Sequence, residues 1–302
     1  MGSIVVLGIF VADTAYRADR MPKMGETILG KSFALGPGGK GSNQAVAAGK
    51  LGANVSIISR LGDDDFGKLA LETWKAANVK PIITTDVSSY TGAAFIFVDD
   101  NTGDNSIIVS PGAAALFTSD DVTINTCLIE DADVFMTQLE QPVDVAKEGL
   151  KLAKKAGKVT ILNPAPATLL GVDILELCDF VTPNETEAQV LTGISVVTPE
   201  DAKRAAAKFV DMGVKTPIIT MGEQGAYLHG YGMIPAFEYA PVVETTGAGD
   251  AFNGGFATAL SEGKSILEAV RFGCATASIS VTRPGTAPAM PTRAEDEELL
   301  SQ

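Results

Sequence analysis

The residues best suited to chemistry fall in two glycine-rich stretches. The first, GPGGKGSNQAVAAGKL at 36–51, sets Gly36, Gly38 and Gly41 in G-x-G-x-x-G spacing, the pattern of a loop that lets backbone approach a dinucleotide pyrophosphate. It misses a P-loop by one residue, because Ser42 stands where that motif needs lysine. The second, VETTGAGDAFNGGFATAL at 243–260, places Gly247, Ala248 and Gly249 directly before Asp250. Phe252, Phe256 and Ala259 recur at helical spacing, so a helix is expected to open near 249–250. Free amides of Gly247, Ala248 and Gly249 at a helix N-terminus would attract an anion. A carboxylate beside such an anion site suits a base that takes a hydroxyl proton during phosphoryl transfer. The competing reading of Asp250 is a plain helix cap.

Other chemistries are poorly supplied. His229 is the only histidine, in the strand-and-turn context AYLHGYG, and no G-x-S-x-G elbow accompanies it. A Ser-His-Asp triad therefore lacks its parts. Cys127, Cys178 and Cys274 are too widely spaced for a metal knuckle or redox pair and are expected to be small core residues. A formal charge of −14 repels phosphate backbones and anionic membranes, which argues against nucleic acid as a partner. The apolar run SIVVLGIFV meets Asp13 at once and reads as a first buried strand, not a leader or a membrane span. A cytoplasmic location is the expectation.

These loops need elements to position them. Apolar runs at 4–8, 55–59, 134–138, 159–163, 180–184 and 217–221 alternate with helical patterns at 42–51, 66–77, 142–156, 185–193 and 199–212. Continuous apolar strands separated by helices predict an α/β fold, a three-layer αβα arrangement around a mostly parallel sheet. Segments 9–36 and 90–110 break the rhythm with alternating patterns, the second containing a turn at 99–105 rich in Asp, Asn and Gly. They predict a small antiparallel β lid on a single domain spanning 1–302, its apolar face covered by a second copy in a homodimer.

Taken in order, the motifs resemble the ribokinase-like, PfkB-type carbohydrate kinase family over nearly the whole chain. The stretches 36–67 and 243–260 resemble its two signatures. QLEQP at 138–142, NPAPA at 163–167, TPNETEA at 182–188, ITMGEQG at 219–225 and VTRPGTAPAMPT at 281–292 fall in the family's order. The resemblance implies ATP-dependent phosphorylation of a sugar's primary hydroxyl, with ribose as the expected substrate and a nucleoside or another sugar as the alternative. It gives the first glycine loop to the sugar and the second to the phosphates. The dinucleotide reading, for which Asp63 lies about 20 residues downstream, loses weight because a lid-like segment with Lys31 and Ser32 precedes the loop.

By that resemblance Asp13, Gly39, Lys40, Asn43 and Glu140 hold sugar hydroxyls, and Asp250 is the base. Asn184 and Glu187 organise the magnesium–triphosphate shell. Thr220, Gly222 and Gly225 lie along the nucleotide, with Cys274 near the adenine. Glu244, Thr246, Ser280, Arg283 and Gly285 surround a potassium site. The chain departs from the family's pattern at Val11, where asparagine is frequent, and at Ala114, also a common asparagine position. Glu244 replaces an aspartate, and Ala289 replaces a serine.

Overall fold

The strands follow the apolar runs in the computed structural model, which describes residues 2–302. In chain order they are β1 (Ser3–Leu7), β2 (Val11–Ala18), β3 (Ser32–Gly38), β4 (Asn54–Gly62), β5 (Val79–Asp86), β6 (Thr91–Asp99) and β7 (Asn105–Gly112). Then come β8 (Val134–Thr137), β9 (Val159–Leu162), β10 (Phe180–Val181), β11 (Thr216–Thr220), β12 (Ala226–Leu228) and β13 (Gly232–Ile234). Nine of them form one sheet in the order β13-β12-β11-β10-β9-β8-β1-β4-β5. From β11 to β5 every pairing is parallel, and the β12 and β13 edge is antiparallel. Helices lie against both faces of this sheet, in two large apolar clusters.

β1 sits centrally, and Ile4 through Leu7 are all buried. A strand covered on both faces has no room for the polar alternation of a half-exposed one, which explains the unbroken IVVL. Three strands escape the periodicity reading. β5 contains Pro81, which cannot donate to a ladder, and the fold accommodates it because β5 is an edge strand. β12 and β13 are three residues each, too short to show a period.

The segments expected to form a lid make a separate four-stranded sheet, β3-β2-β6-β7. β2–β3 and β6–β7 are antiparallel, and the two pairs are joined by a parallel pairing of β2 with β6. Its strands end at Gly38 and Gly112, slightly beyond the predicted bounds. Tyr16, Phe33, Leu35, Ile107, Ile108 and Val109 are all exposed on it.

Two helices carry the glycine loops, Lys40–Lys50 and Ala248–Ser261. They pack closely because Gly254 has no side chain: a Cβ there would lie 2.5 Å from Ala47 Cβ and 2.9 Å from Gln44 O. Gly254 is one turn beyond Asp250 and Ala47 one turn beyond Asn43, so this contact brings Asp250 against Asn43 and Gln44. Cys178 and Cys274 are buried as expected, but Cys127 is exposed. It rides on the short surface helix Thr126–Asp131, whose apolar neighbours suggested burial.

Candidate active site

The parallel strands deliver their carboxyl ends to one cleft, the usual site of chemistry in an open α/β sheet. Glu140 follows β8, Asn163 follows β9, Thr182 and Asn184 follow β10, and Thr220 ends β11. The cleft is lined by Lys40, Asn163, Thr182, Asn184, Glu187, Thr220, the Thr245–Asp250 turn and their neighbours. Its volume is about 120 Å³, small beside the ~300–1,000 Å³ of a typical ligand pocket.

Asp250 is 6% exposed, and two amides reach its carboxylate. Asn43 Nδ2 donates to Oδ2 at 3.0 Å, and Gln44 Nε2 donates to Oδ1 at 3.0 Å. Burial raises the carboxyl above its ordinary 3.8, while Lys40 and those two donors oppose the rise. Burial alone would also pull Lys40 down, but Asp250, Glu140 and Glu187 outweigh it and the ammonium is strengthened. A carboxylate with a persistent cation beside it remains available as a base.

The amides before Asp250 divide. Ala248 N–H donates to Thr245 O at 3.2 Å, whereas those of Gly247, Gly249 and Asp250 find no backbone acceptor among the described residues. The sequence expectation of three free donors therefore needs correction at Ala248, whose amide closes the turn. The glycine amides remain beside the cleft, at the positive end of the helix dipole.

On the lid side, Asp13 lies against the first loop: a Cβ on Gly38 would fall 2.2 Å from Asp13 Oδ2. Burial and the Asp250 charge push Asp13 up to about 6. Glu140 Oε2 accepts from Lys40 N at 2.7 Å, and burial pushes its carboxyl up to about 7 despite Lys40. Asn43 Oδ1 is buried without a partner. A buried acceptor without a protein partner is available to an incoming donor, such as a sugar hydroxyl.

Several residues carry structural duties as well. Asn184 caps the helix Glu185–Thr192, its Oδ1 accepting from Glu187 N at 2.8 Å, while Glu187 Oε2 accepts from Asn184 N at 2.9 Å. That leaves Glu187 Oε1 for the cleft, and burial raises this carboxyl too. Thr220 lines the cleft at an isolated bridge to Asn184. Gly222 and Gly225 flank the short turn that follows β11. Cys274 does not reach the cleft: it is 3% exposed within the core, where burial pushes its thiol up to about 12. Glu244 Oε2 accepts from Gly285 N at 2.8 Å, tying together two of the segments assigned to the cation. Thr246 is exposed in the turn. Ser280 donates to Ala277 O inside its own helix, and Arg283 pairs with Glu295, so those two side chains are engaged elsewhere.

Sequence reading missed Gln44, Gln138 and Asn163. Gln44 and Gln138 are fully buried and Asn163 nearly so. The available signal was a glutamine inside the otherwise small and apolar helix run QAVAA, since buried polar side chains demand partners.

A pfkB family carbohydrate kinase model matches residues 1–293. Ribokinase of Haemophilus influenzae is 41% identical over 302 residues, covering 99% of this chain and 98% of that one. Deoxyribokinase of Salmonella typhi is 35% identical over 307 residues, covering 99% and 98%. Among solved structures, Arabidopsis thaliana ribokinase complexed with ribose and ATP aligns with a TM-score of 0.91 at 34% identity, covering 100% of both chains.

Proposed function

The chain belongs to the pfkB family of carbohydrate kinases, and on that premise we propose that it transfers the γ-phosphoryl group of ATP to the primary hydroxyl, O5, of D-ribose. The observation that carries this is Asp250, held by two amides beside unpaired glycine N–H groups in a cleft that also holds Lys40. Asp13, Gly39, Lys40, Asn43 and Glu140 take the sugar hydroxyls, because two buried carboxyl groups and an orphan amide oxygen offer hydrogen-bonding partners to a polyol.

In the transfer the O5–H proton passes to Asp250 as the oxygen bonds to the γ-phosphorus. The bond from that phosphorus to the β–γ bridging oxygen breaks, and ADP leaves with the electron pair. The amides of Gly247 and Gly249 receive charge that accumulates on the phosphoryl oxygens. Asn184, Glu187, Thr220, Gly222 and Gly225 accompany the nucleotide.

No group of three His, Cys, Asp or Glu side chains that could hold a metal occurs among the described residues. The magnesium expected with ATP would keep most of its waters, and Glu187 is the residue that would hold it. When bound it neutralises phosphate charge. For potassium, Glu244 is the ligand that fits best, with backbone oxygens near Thr246 and Gly285. This acceptor-rich, partly exposed corner would hold a fixed positive charge near the Gly247 turn.

We read residues 1–302 as one functional unit in which 9–36 and 90–110 act as a lid and dimerise through their exposed apolar side chains. No helix among the described residues is long and apolar enough to cross a membrane, and a cytoplasmic site of action accompanies the reading.

A second reading, 2-deoxyribose as acceptor, is favoured by the buried Val11, which removes one polar partner from the sugar pocket, and by the deoxyribokinase relative. ADP release measured across ribose, 2-deoxyribose, fructose, adenosine and inosine separates them. Ribose should give the highest kcat/KM. A preference for another acceptor replaces the substrate, and no turnover with any of them overturns the reading.

A further inference from the structure

Gln44 sits at the centre of a buried amide chain that no motif describes. Its Nε2 donates to Asp250 Oδ1 at 3.0 Å and to Asn163 Oδ1 at 3.1 Å. Its Oε1 accepts from Gln138 Nε2 at 2.5 Å. Gln44 and Gln138 are fully buried. An ionised carboxylate only accepts hydrogen bonds, so the Gln44 amide must turn its NH₂ toward Asp250. The Gln138 donor enforces this from behind, because it can meet only the oxygen of Gln44. Asn163 is fixed in turn, donating through Nδ2 to Thr182 O at 3.1 Å. Gln141 donates to the Gln138 carbonyl at 2.7 Å and holds the segment after β8. Gln138 Oε1 has no hydrogen-bond partner, and the backbone of Gly8 and Gly41 lies so near it that a Cβ on either would come within 2.5 or 2.7 Å.

We propose that Gln44 is a positioning residue for phosphoryl transfer: clamped by Gln138, its amide fixes one oxygen of Asp250 and favours the ionised carboxylate, leaving the other side to meet the acceptor hydroxyl. The division of labour follows from geometry. Asn43 bonds Oδ2 and keeps an orphan oxygen for substrate. Gln44 is buried and entirely engaged with protein, so it acts only through Asp250. This inference rests on Asp250 being the base.

The test is the pH dependence of kcat with ribose and ATP for wild type, Gln44→Met and Gln138→Met. Charged groups facing Asp250 are Lys40 on the same helix as Gln44, Asp13 on β2, Glu140 after β8 and Glu187 on the helix Glu185–Thr192. All remain in each variant, so the comparison isolates the amide. A donor to the ionised form lowers a carboxyl's pKa. Its loss in Gln44→Met should move the acid limb upward by about 1–2 pH units. The rate should then fall roughly tenfold or more at low pH and far less on the alkaline plateau. Gln138→Met keeps the donor but frees its orientation, and should move the limb the same way by a smaller amount. A uniform loss at every pH, with an unmoved limb in both variants, overturns the proposal. If Gln44→Met does not fold, the limb of Gln138→Met decides alone. Asp250→Asn runs alongside. Near-normal turnover there refutes the base itself, whereas an inactive Asp250→Asn with an unmoved limb refutes only Gln44.

Discussion

Asp296→Asn should change how stability depends on pH, and the structure sets the size of the change. Asp296 is fully buried, Oδ2 meets the Thr276 hydroxyl, and Oδ1 has no partner. Thr276 Oγ1 also faces Phe272 O at 2.9 Å, yet a hydroxyl has one proton to give. A protonated Asp296 resolves the conflict: its own O–H donates to Thr276, whose proton then goes to Phe272. Burial accordingly pushes the carboxyl from 3.8 up to about 7, against the pull of Thr276 and Arg293. Because the folded protein holds the proton more tightly than the unfolded chain, stability from this group is fully present below 3.8. It declines as the pH rises and is lost above about 7. At ~1.4 kcal/mol per pH unit, that gap amounts to roughly 4 kcal/mol. Asparagine removes the slope but leaves a buried N–H without an acceptor, a cost of about 1–3 kcal/mol that is independent of pH. The variant should therefore be less stable than wild type near pH 4 and gain on it by roughly 4 kcal/mol by pH 8. Urea denaturation at several pH values, with equal m-values, measures this. Parallel stability curves for the two proteins would refute the reasoning.

Three further outcomes are expected. Gly39 has φ +87°, and a Cβ would lie 2.6 Å from Ile9 O, so Gly39→Ala should cost about 1–3 kcal/mol and raise the sugar KM by shifting Lys40. An unchanged denaturation midpoint and KM would contradict this. Ile108, exposed on β7, should lie in a lid-to-lid contact, so wild type should elute as a dimer and Ile108→Asp as a monomer. A monomeric wild type at micromolar concentration removes the contact. Rates in potassium should exceed those in a bulky organic cation, and equal rates would argue against a cation near Glu244.

What the sequence disclosed is what its local chemistry encodes. The start of the Ala248–Ser261 helix was readable from Gly247–Asp250 because a cap, a glycine turn and a helical apolar period are neighbours in sequence. The long parallel strands were readable because burial on both faces leaves a continuous apolar run. The amide chain was hidden, since Gln44 and Asp250 are 206 residues apart and meet through the packing of two helices, closest at Gly254 and Ala47. Asn184 and Glu187 were visible as a capping box, but a reading through the family's metal shell overlooked that each already satisfies the other's amide. Cys127 was misjudged for a related reason. Neighbouring residues do not reveal whether a helix lies at the surface, nor which of its faces meets a cleft.

The central claim is that Asp250 accepts the proton of the attacking hydroxyl. Its most direct test is kcat for Asp250→Asn, from ADP release with saturating ribose and ATP, alongside a denaturation curve. Turnover should fall by ~10²–10⁴-fold while the protein still unfolds cooperatively. A folded variant that turns over near the wild-type rate would contradict the account.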